Sequence, residues 1–346
     1  MTRYLIPRGI VSGPAAGGAV AAGLAVPLAG GPLAFAYAEA MEREAGAAAT
    51  RRPLDLRAAR GFAPELFDAL MAARPRWAGF DLARPLIMGV LNVTPDSFSD
   101  GGDFADAAAA IAHGKALLEA GADIVDVGGE STRPGAAPVS PQDEAARVLP
   151  VVRALSGAGA CVSIDTRHAA VMEQAVAAGA RIINDVTALT GDVESPRVAA
   201  RSGAAIVLMH MLGEPQTMQA DPRYADVTCD LLDYFADRLA ALSELGVERA
   251  RIAVDPGIGF GKTVAHNVQL IDELAAFHAC GCAILLGASR KSFIGRLSRG
   301  EAAKQRLAGT LAAHQMGWAR GAQIVRVHDV AEACQARAVW SAANAP

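Results

Sequence analysis

A chain of 346 residues, 52% hydrophobic and 20% charged, has apolar material for a large core, and its 35 glycines suit many tight turns. A net charge of -4 argues against a nucleic-acid partner, which asks for a basic face, yet leaves room for an anionic small molecule in a cleft where a few Lys and Arg are focused. The five cysteines (Cys161, Cys229, Cys280, Cys282 and Cys334) are odd in number and lack paired CxxC spacing, which speaks against a disulfide framework and for a reducing, cytoplasmic compartment.

Residues 1–84 read as an extension distinct from the remainder. No charge occurs between Arg8 and Glu39, and the run 34–38 superficially resembles a signal-peptidase site. The segment is mostly Ala and Gly, however, and Pro14, Pro27 and Pro32 interrupt it. Small residues supply little transfer free energy and proline disfavours a continuous membrane helix, so neither export nor a membrane span is expected. A charged stretch from Glu42 to Arg60 and a helix over about 64–73 follow.

Beyond Pro85 the pattern becomes a regular alternation. Short β-rich apolar runs at 86–91, 124–127, 161–164, 181–183, 205–209, 251–254, 283–286 and 323–325 read as eight strands. Between them lie segments of helical period, such as 106–119, 142–154, 168–178 and 228–245. Eight βα units over about 250 residues predict an α/β fold, a (β/α)8 TIM barrel spanning 85–335, with 336–346 as a C-terminal tail. A doubly wound open sheet is the structural rival.

A polar group follows almost every predicted strand: Asn92, Glu130 to Arg133, Asp165, Asn184 and Asp185, His210, Asp255, Ser289 to Lys291, then Arg326 and His328. Single residues of this kind often cap helices or satisfy buried backbone groups. Capping accounts poorly for a whole set biased to one strand end, and that end is where barrels of this class build active sites. Two loops, 92–102 and 128–135, are rich in glycine and small hydroxyls, so they can bring backbone N–H groups close to an anion. The run 257–263 looks like a phosphate-binding loop, but Pro256 stands where the first glycine should be, so a nucleotide site is not expected. Met209-His210-Met211 lacks further ligands at metal spacing and reads as packing, while Trp77 and Trp318 read as core or interface.

In order along the chain, the segments 92–102, 126–134, 163–166, 183–186, 208–212 with 216–219, 255–262, 289–295 and 326–330 resemble the dihydropteroate synthase family. The resemblance covers about residues 85 to 335 and is carried by the ordered set. Ile258, where the family often has Phe, departs from it only in packing. The family implies displacement of pyrophosphate from a dihydropterin pyrophosphate by p-aminobenzoate, with Mg2+ as cofactor and a homodimeric assembly. Its members bind small molecules, with neither nucleic acid nor membrane as partner. Carried over by position, Asp165, Lys291 and Asn92 are implied catalytic residues, with Asn92 also the metal ligand. Asn184, Met209, Asp255, Phe260, Gly287, Arg326 and His328 are implied in binding the pterin pyrophosphate, together with Asp165 and Lys291. Phe98, Thr132, Arg133, Pro134 and Ser292 are implied around p-aminobenzoate. A cobalamin-type pterin-binding methyltransferase domain, or a non-catalytic pterin-binding paralogue, are the competing readings; neither needs the whole polar set.

Overall fold

The computed structural model describes residues 1–44, 46–93, 102–130, 139–213 and 217–345, with side chains of 102–106 excepted. Phe98, Thr132, Arg133 and Pro134 lie outside the described residues.

Eight parallel strands close into a barrel in chain order: β5 (Leu86–Asn92), β6 (Ile124–Gly128), β7 (Val162–Asp165), β8 (Ile182–Asp185), β9 (Ala205–Met209), β10 (Ile252–Asp255), β11 (Ala283–Leu286) and β12 (Ile324–Val327), which pairs back onto β5. The open-sheet alternative is therefore excluded. Each strand is buried on both faces, which is why the sequence reads as continuous apolar runs. The helices outside are α4 (Gly102–Glu119), α5 (Pro141–Gly157), α6 (Ala169–Ala177), α7 (Ser195–Ser202), α8 (Val227–Glu244), α9 (Val264–Asp272), α10 (Ser292–Leu297), α11 (Leu307–Trp318) and α12 (Val330–Ala343). The predicted tail boundary at 336 falls inside α12, so most of that segment belongs to the last barrel helix.

The two-residue period of a strand sorts the barrel interior into layers. The lower layers hold Leu86, Met88, Ile124, Cys161, Ile182, Ala205, Val207, Ala253, Ala283, Leu285 and Ile324, sealed from below by Trp77, whose Nε1 donates to the Arg251 carbonyl at 3.1 Å. Residues around Trp77 thus plug the barrel although they precede its first strand. Continuing the same period upward reaches Asn92, Asp126, Gly128, Asp165, Asn184, Met209, Asp255, Gly287, Arg326 and His328. A polar layer therefore crowns an apolar one.

The Ala/Gly-rich N-terminal segment forms an antiparallel sheet: β1 (Thr2–Val11) pairs with β3 (Ala34–Arg43), and β3 pairs on its other edge with β2 (Val26–Pro27) and β4 (Thr50–Asp55). Helix α1 (Gly13–Ala21) joins β1 to β2. One face of the sheet presents Tyr4, Ile6 and Met41 to the barrel core; the other packs Leu5, Phe35 and Ala40 against α2 (Leu56–Phe62) and α3 (Pro64–Met71). The run 34–38 opens strand β3, with Ala34, Phe35 and Ala38 buried and Ala36 and Tyr37 exposed. No helix among the described residues is long and apolar enough to cross a membrane.

Arginines fasten this sheet to the barrel. Arg43, with its side chain 3% exposed, pairs with Asp230 and, at 2.6 Å, with Asp233 of α8, while its Nε donates to Tyr4 Oη at 3.0 Å. Tyr4 Oη in turn donates to Asp233 at 2.8 Å. Arg51 bridges Asp226 (2.7 Å) and Glu273 (2.5 Å), and Arg8 reaches Asp272 at 2.8 Å.

Candidate active site

The register of the barrel sets the crown residues side by side. Asn92 pairs with Gly128, Gly128 with Asp165, Asp165 with Asn184, and Asp255 with Met209. Their side chains then interlock. Arg326 is the hub: its Nε donates to Asp126 Oδ2 at 2.6 Å and its Nη2 to Asp165 Oδ2 at 2.7 Å. Asn184 Nδ2 donates to the same Asp126 oxygen at 3.0 Å, which leaves Asp126 Oδ1 buried with no partner.

Opposite lies the second half. Asp255 is 5% exposed, and its Oδ1 accepts the Gly257 N–H at 2.7 Å. Lys291 Nζ sits 3.9 Å from the centre of the Phe260 ring, a cation–π contact. Gly287 keeps the wall beside Asp255 thin: a Cβ there would lie 3.4 Å from Asp255 Oδ2. The turn before Lys291 depends on Arg290, whose φ of 59° is in the left-handed region. Its guanidinium is paired with Asp329, and its carbonyl accepts from Arg306 at 2.9 Å. At the rim, His328 and Ser289 share a 3.0 Å contact between Nδ1 and Oγ.

Burial dominates the electrostatics. It raises the Asp255 carboxyl to about 6, against the Gly257 hydrogen bond and the Lys291 charge. It raises Asp165 as well, with the Arg326 charge opposing and the Asp126 carboxylate adding to the rise. Lys291 is lowered to about 8 by burial and then by Arg326. His328 is lowered to about 4 by burial and the nearby arginines, so its ring is neutral near pH 7. Arg326 stays charged: burial opposes this, but Asp126 and Asp165 outweigh it. The pocket thus offers two carboxylates, an ammonium, a carboxamide and a flat guanidinium around apolar walls from Met209 and Phe260. Such a set can pair with the edge of a polar heterocycle and stabilise charge that develops beside it.

Of the described strand-end residues named from the sequence, Asn92, Asp165, Asn184, Asp255, Ser289, Lys291, Arg326 and His328 lie at this one mouth. Asp185 turns away to accept the Thr187 and Leu189 N–H groups, Glu130 pairs with Arg167, His210 contacts Lys262, and Arg290 pairs with Asp329. Ser292 is exposed at the first residue of α10 and takes no part in the hydrogen bonds that join the cluster among the described residues. Sequence reasoning passed over Asp126 as a site residue. Its signal was a charged side chain inside an otherwise apolar parallel strand, a position that stays charged only when paired.

Residues 88–328 match the family described as pterin binding enzyme. The dihydropteroate synthase of Escherichia coli K12 is 44% identical over 265 residues, 76% of this chain and 93% of its own length. That of Neisseria meningitidis serogroup B is 47% identical over 266 residues, 75% of this chain and 93% of its own. Among solved structures, Xanthomonas albilineans dihydropteroate synthase with 4-aminobenzoic acid superposes with a TM-score of 0.73 at 44% identity, covering 78% of this chain and 97% of that one. The same enzyme in complex with 7,8-dihydropteroate gives 0.70 at 42% identity, covering 77% and 96%. On fold, site geometry and relatives together, the chain belongs to the dihydropteroate synthase family of pterin-binding enzymes.

Proposed function

We propose that the barrel mouth joins 6-hydroxymethyl-7,8-dihydropterin pyrophosphate to p-aminobenzoate, releasing pyrophosphate and 7,8-dihydropteroate, with the following division of labour. Asp255 accepts the adjacent amino and ring N–H groups of the pterin, and Asn184 supplies a matched donor and acceptor. Lys291 donates to the carbonyl side of the ring. Arg326 lays its guanidinium plane over the pterin, with Met209 and Phe260 closing the apolar side and Gly287 leaving room beside Asp255. The observation that carries this reading is the convergence of Asp126, Asp165, Asn184, Asp255, Lys291 and Arg326 at the C-terminal mouth of the barrel.

The step we favour is dissociative. As the C–O bond to pyrophosphate breaks, the electron pair leaves with the phosphate and the pterin methylene becomes cationic. Asp165, held against Arg326, stabilises that charge until the amine attacks. The amine then gives up a proton to solvent or to the departing anion. Phe98, Thr132, Arg133 and Pro134, which lie outside the described residues, together with Ser292, are proposed around p-aminobenzoate.

Asn92 and His328 are proposed to receive the pyrophosphate. No group of three His, Cys, Asp or Glu able to enclose a metal occurs among the described residues. A single carboxamide oxygen at a strand end suits a hard cation that keeps most of its ligands as water and substrate phosphate, so Asn92 fits Mg2+ in that limited sense. When bound, the ion would neutralise charge on the leaving group.

The proposed compartment is the cytoplasm, in keeping with five free thiols, four of them buried. A homodimer is also proposed. Val268 on α9, Leu297 on α10 and Met316 on α11, exposed on adjoining helices, supply apolar surface for it. The test of the function is direct: purified chain, the pterin pyrophosphate, p-aminobenzoate and Mg2+, followed for pyrophosphate and dihydropteroate, with a chelator arm. Absence of product from folded protein refutes the reading, and an Asn92→Ala variant with an unaltered Mg2+ profile refutes the role of Asn92.

A further inference from the structure

We infer that Lys262 is a positioning residue for the pterin half of the site, stapling the turn after β10 to the end of β9 so that Phe260 is held beneath Lys291; the inference rests on the function proposed above. In two sequence runs, the glycine-rich 257–263 and Met209-His210-Met211, Lys262 and His210 had found no role. The fold brings their polar members into one buried contact.

Lys262 is 2% exposed, and its Nζ donates to the Phe260 carbonyl at 2.9 Å, to His210 Nδ1 at 3.0 Å and to the His210 carbonyl at 3.3 Å. An ammonium has three N–H donors, and these three acceptors use all of them. None is left to reach a phosphate, which is the physical reason the phosphate-loop likeness fails. His210 must accept at Nδ1 and so carries its proton on Nε2; burial, and then the Lys262 charge, lower its basicity to about 2. Its ring is wedged edge-on against Tyr234, with centroids 4.8 Å apart.

The turn needs such an anchor because glycine builds it. Gly257 has a φ of 68°, and a Cβ there would lie 2.0 Å from the His210 carbonyl oxygen. Gly261 has a φ of 64° and approaches Leu212 as closely as its missing side chain allows, with 2.6 Å to the Leu212 Cβ. Two further tethers act on the backbone, Gly259 N–H to Asn267 Oδ1 at 2.7 Å and Tyr224 Oη to the Gly261 carbonyl at 2.8 Å. Lys262 supplies the side chain that grips the residue facing substrate, whose own N–H bonds within the turn to the Gly257 carbonyl at 3.1 Å. It holds the Phe260 carbonyl from behind, while the Phe260 ring carries Lys291 Nζ in front. Burial lowers the Lys262 ammonium to about 7, with the Asp255 carboxylate opposing the fall, so the environment favours the neutral amine and the three acceptors hold the charged form against it.

The test is steady-state kinetics on the full chain with each substrate varied in turn. Lys262→Met should raise the KM for the pterin pyrophosphate by about tenfold, the usual scale for hydrogen bonds to a charged group, with the KM for p-aminobenzoate held within about twofold. Because the effect runs through Phe260, it should largely vanish in a Phe260→Ala background. An equal rise in both KM values, or additive effects in the double variant, overturns the inference. If Lys262→Met does not fold, Lys262→Gln, which keeps an N–H donor but not the reach or the charge, should raise the same KM alone; an unchanged KM overturns it equally. A wild-type chain that forms no dihydropteroate would instead refute the proposed function.

Discussion

Replacing Asp126 with alanine removes the one oxygen on which Arg326 and Asn184 converge. Arg326 keeps its contact to Asp165, so the guanidinium loses one of two fixed points and can rotate toward the remaining carboxylate. Losing a charge-assisted hydrogen bond of this kind is worth about 1.5–3 kcal/mol, or roughly one to two orders of magnitude in pterin affinity. Stability should suffer less than the 3–5 kcal/mol typical of breaking a buried pair, because Asp126 Oδ1 is already an orphan whose desolvation cost disappears with the side chain. Calorimetric titration with the pterin pyrophosphate, beside thermal melts, separates the two effects. Asp126→Asn keeps an acceptor at the shared position and places its NH2 where no acceptor is paired, so its affinity should fall between wild type and the alanine variant. Wild-type affinity in a folded Asp126→Ala protein would refute the view that this carboxylate aims Arg326.

Asp255→Ala should weaken pterin binding by about 1.5–3 kcal/mol, measured by the same calorimetry, and an unaltered affinity would remove Asp255 from the pterin edge. The pH profile of kcat/KM for the pterin pyrophosphate should be bell-shaped. Asp255 must be ionised to accept and is so above about 6, whereas Lys291 must be protonated to donate and is so below about 8. A profile flat from pH 5 to 9 would contradict both assignments. Deleting residues 1–73 while keeping the Trp77 plug should lower the melting temperature and promote association, since it uncovers the apolar surface beneath Tyr4, Ile6 and Met41 and leaves Asp226, Asp230, Asp233 and Glu273 without Arg43 and Arg51. A deletion variant as stable and monodisperse as the full chain would show that the sheet contributes nothing to the barrel.

The barrel was legible because parallel strands bury both faces and therefore announce themselves as apolar runs. The predicted ends fell one or two residues short at Asp165, Asp185 and Asp255, each of which is the last residue of its strand. Polarity had been read as the end of the strand, when it marks where the interior turns from packing to chemistry. Asp126 escaped for the converse reason, being enclosed by apolar neighbours in sequence. The Lys262–His210 contact joins positions 52 residues apart, and no local spacing rule encodes it. The N-terminal sheet was least legible: β3 is rich in Ala, which has low strand propensity, and β1 and β3 hold their conformation through pairing and through partners far along the chain.

That distance has a consequence for how the molecule is made. The arginines of the sheet find their carboxylates on the barrel 175 to 265 positions later, from Arg51 with Asp226 to Arg8 with Glu273. Contacts of such long range form slowly and late. During synthesis from the N-terminus, β1, β3 and β4 emerge well before α8 and α9, and the sheet must wait with its apolar face uncovered. The charge-free run between Arg8 and Glu39 places few gatekeepers along that waiting segment. The same seam that fastens the finished protein is therefore the interval in its biosynthesis when it most needs protection from other chains.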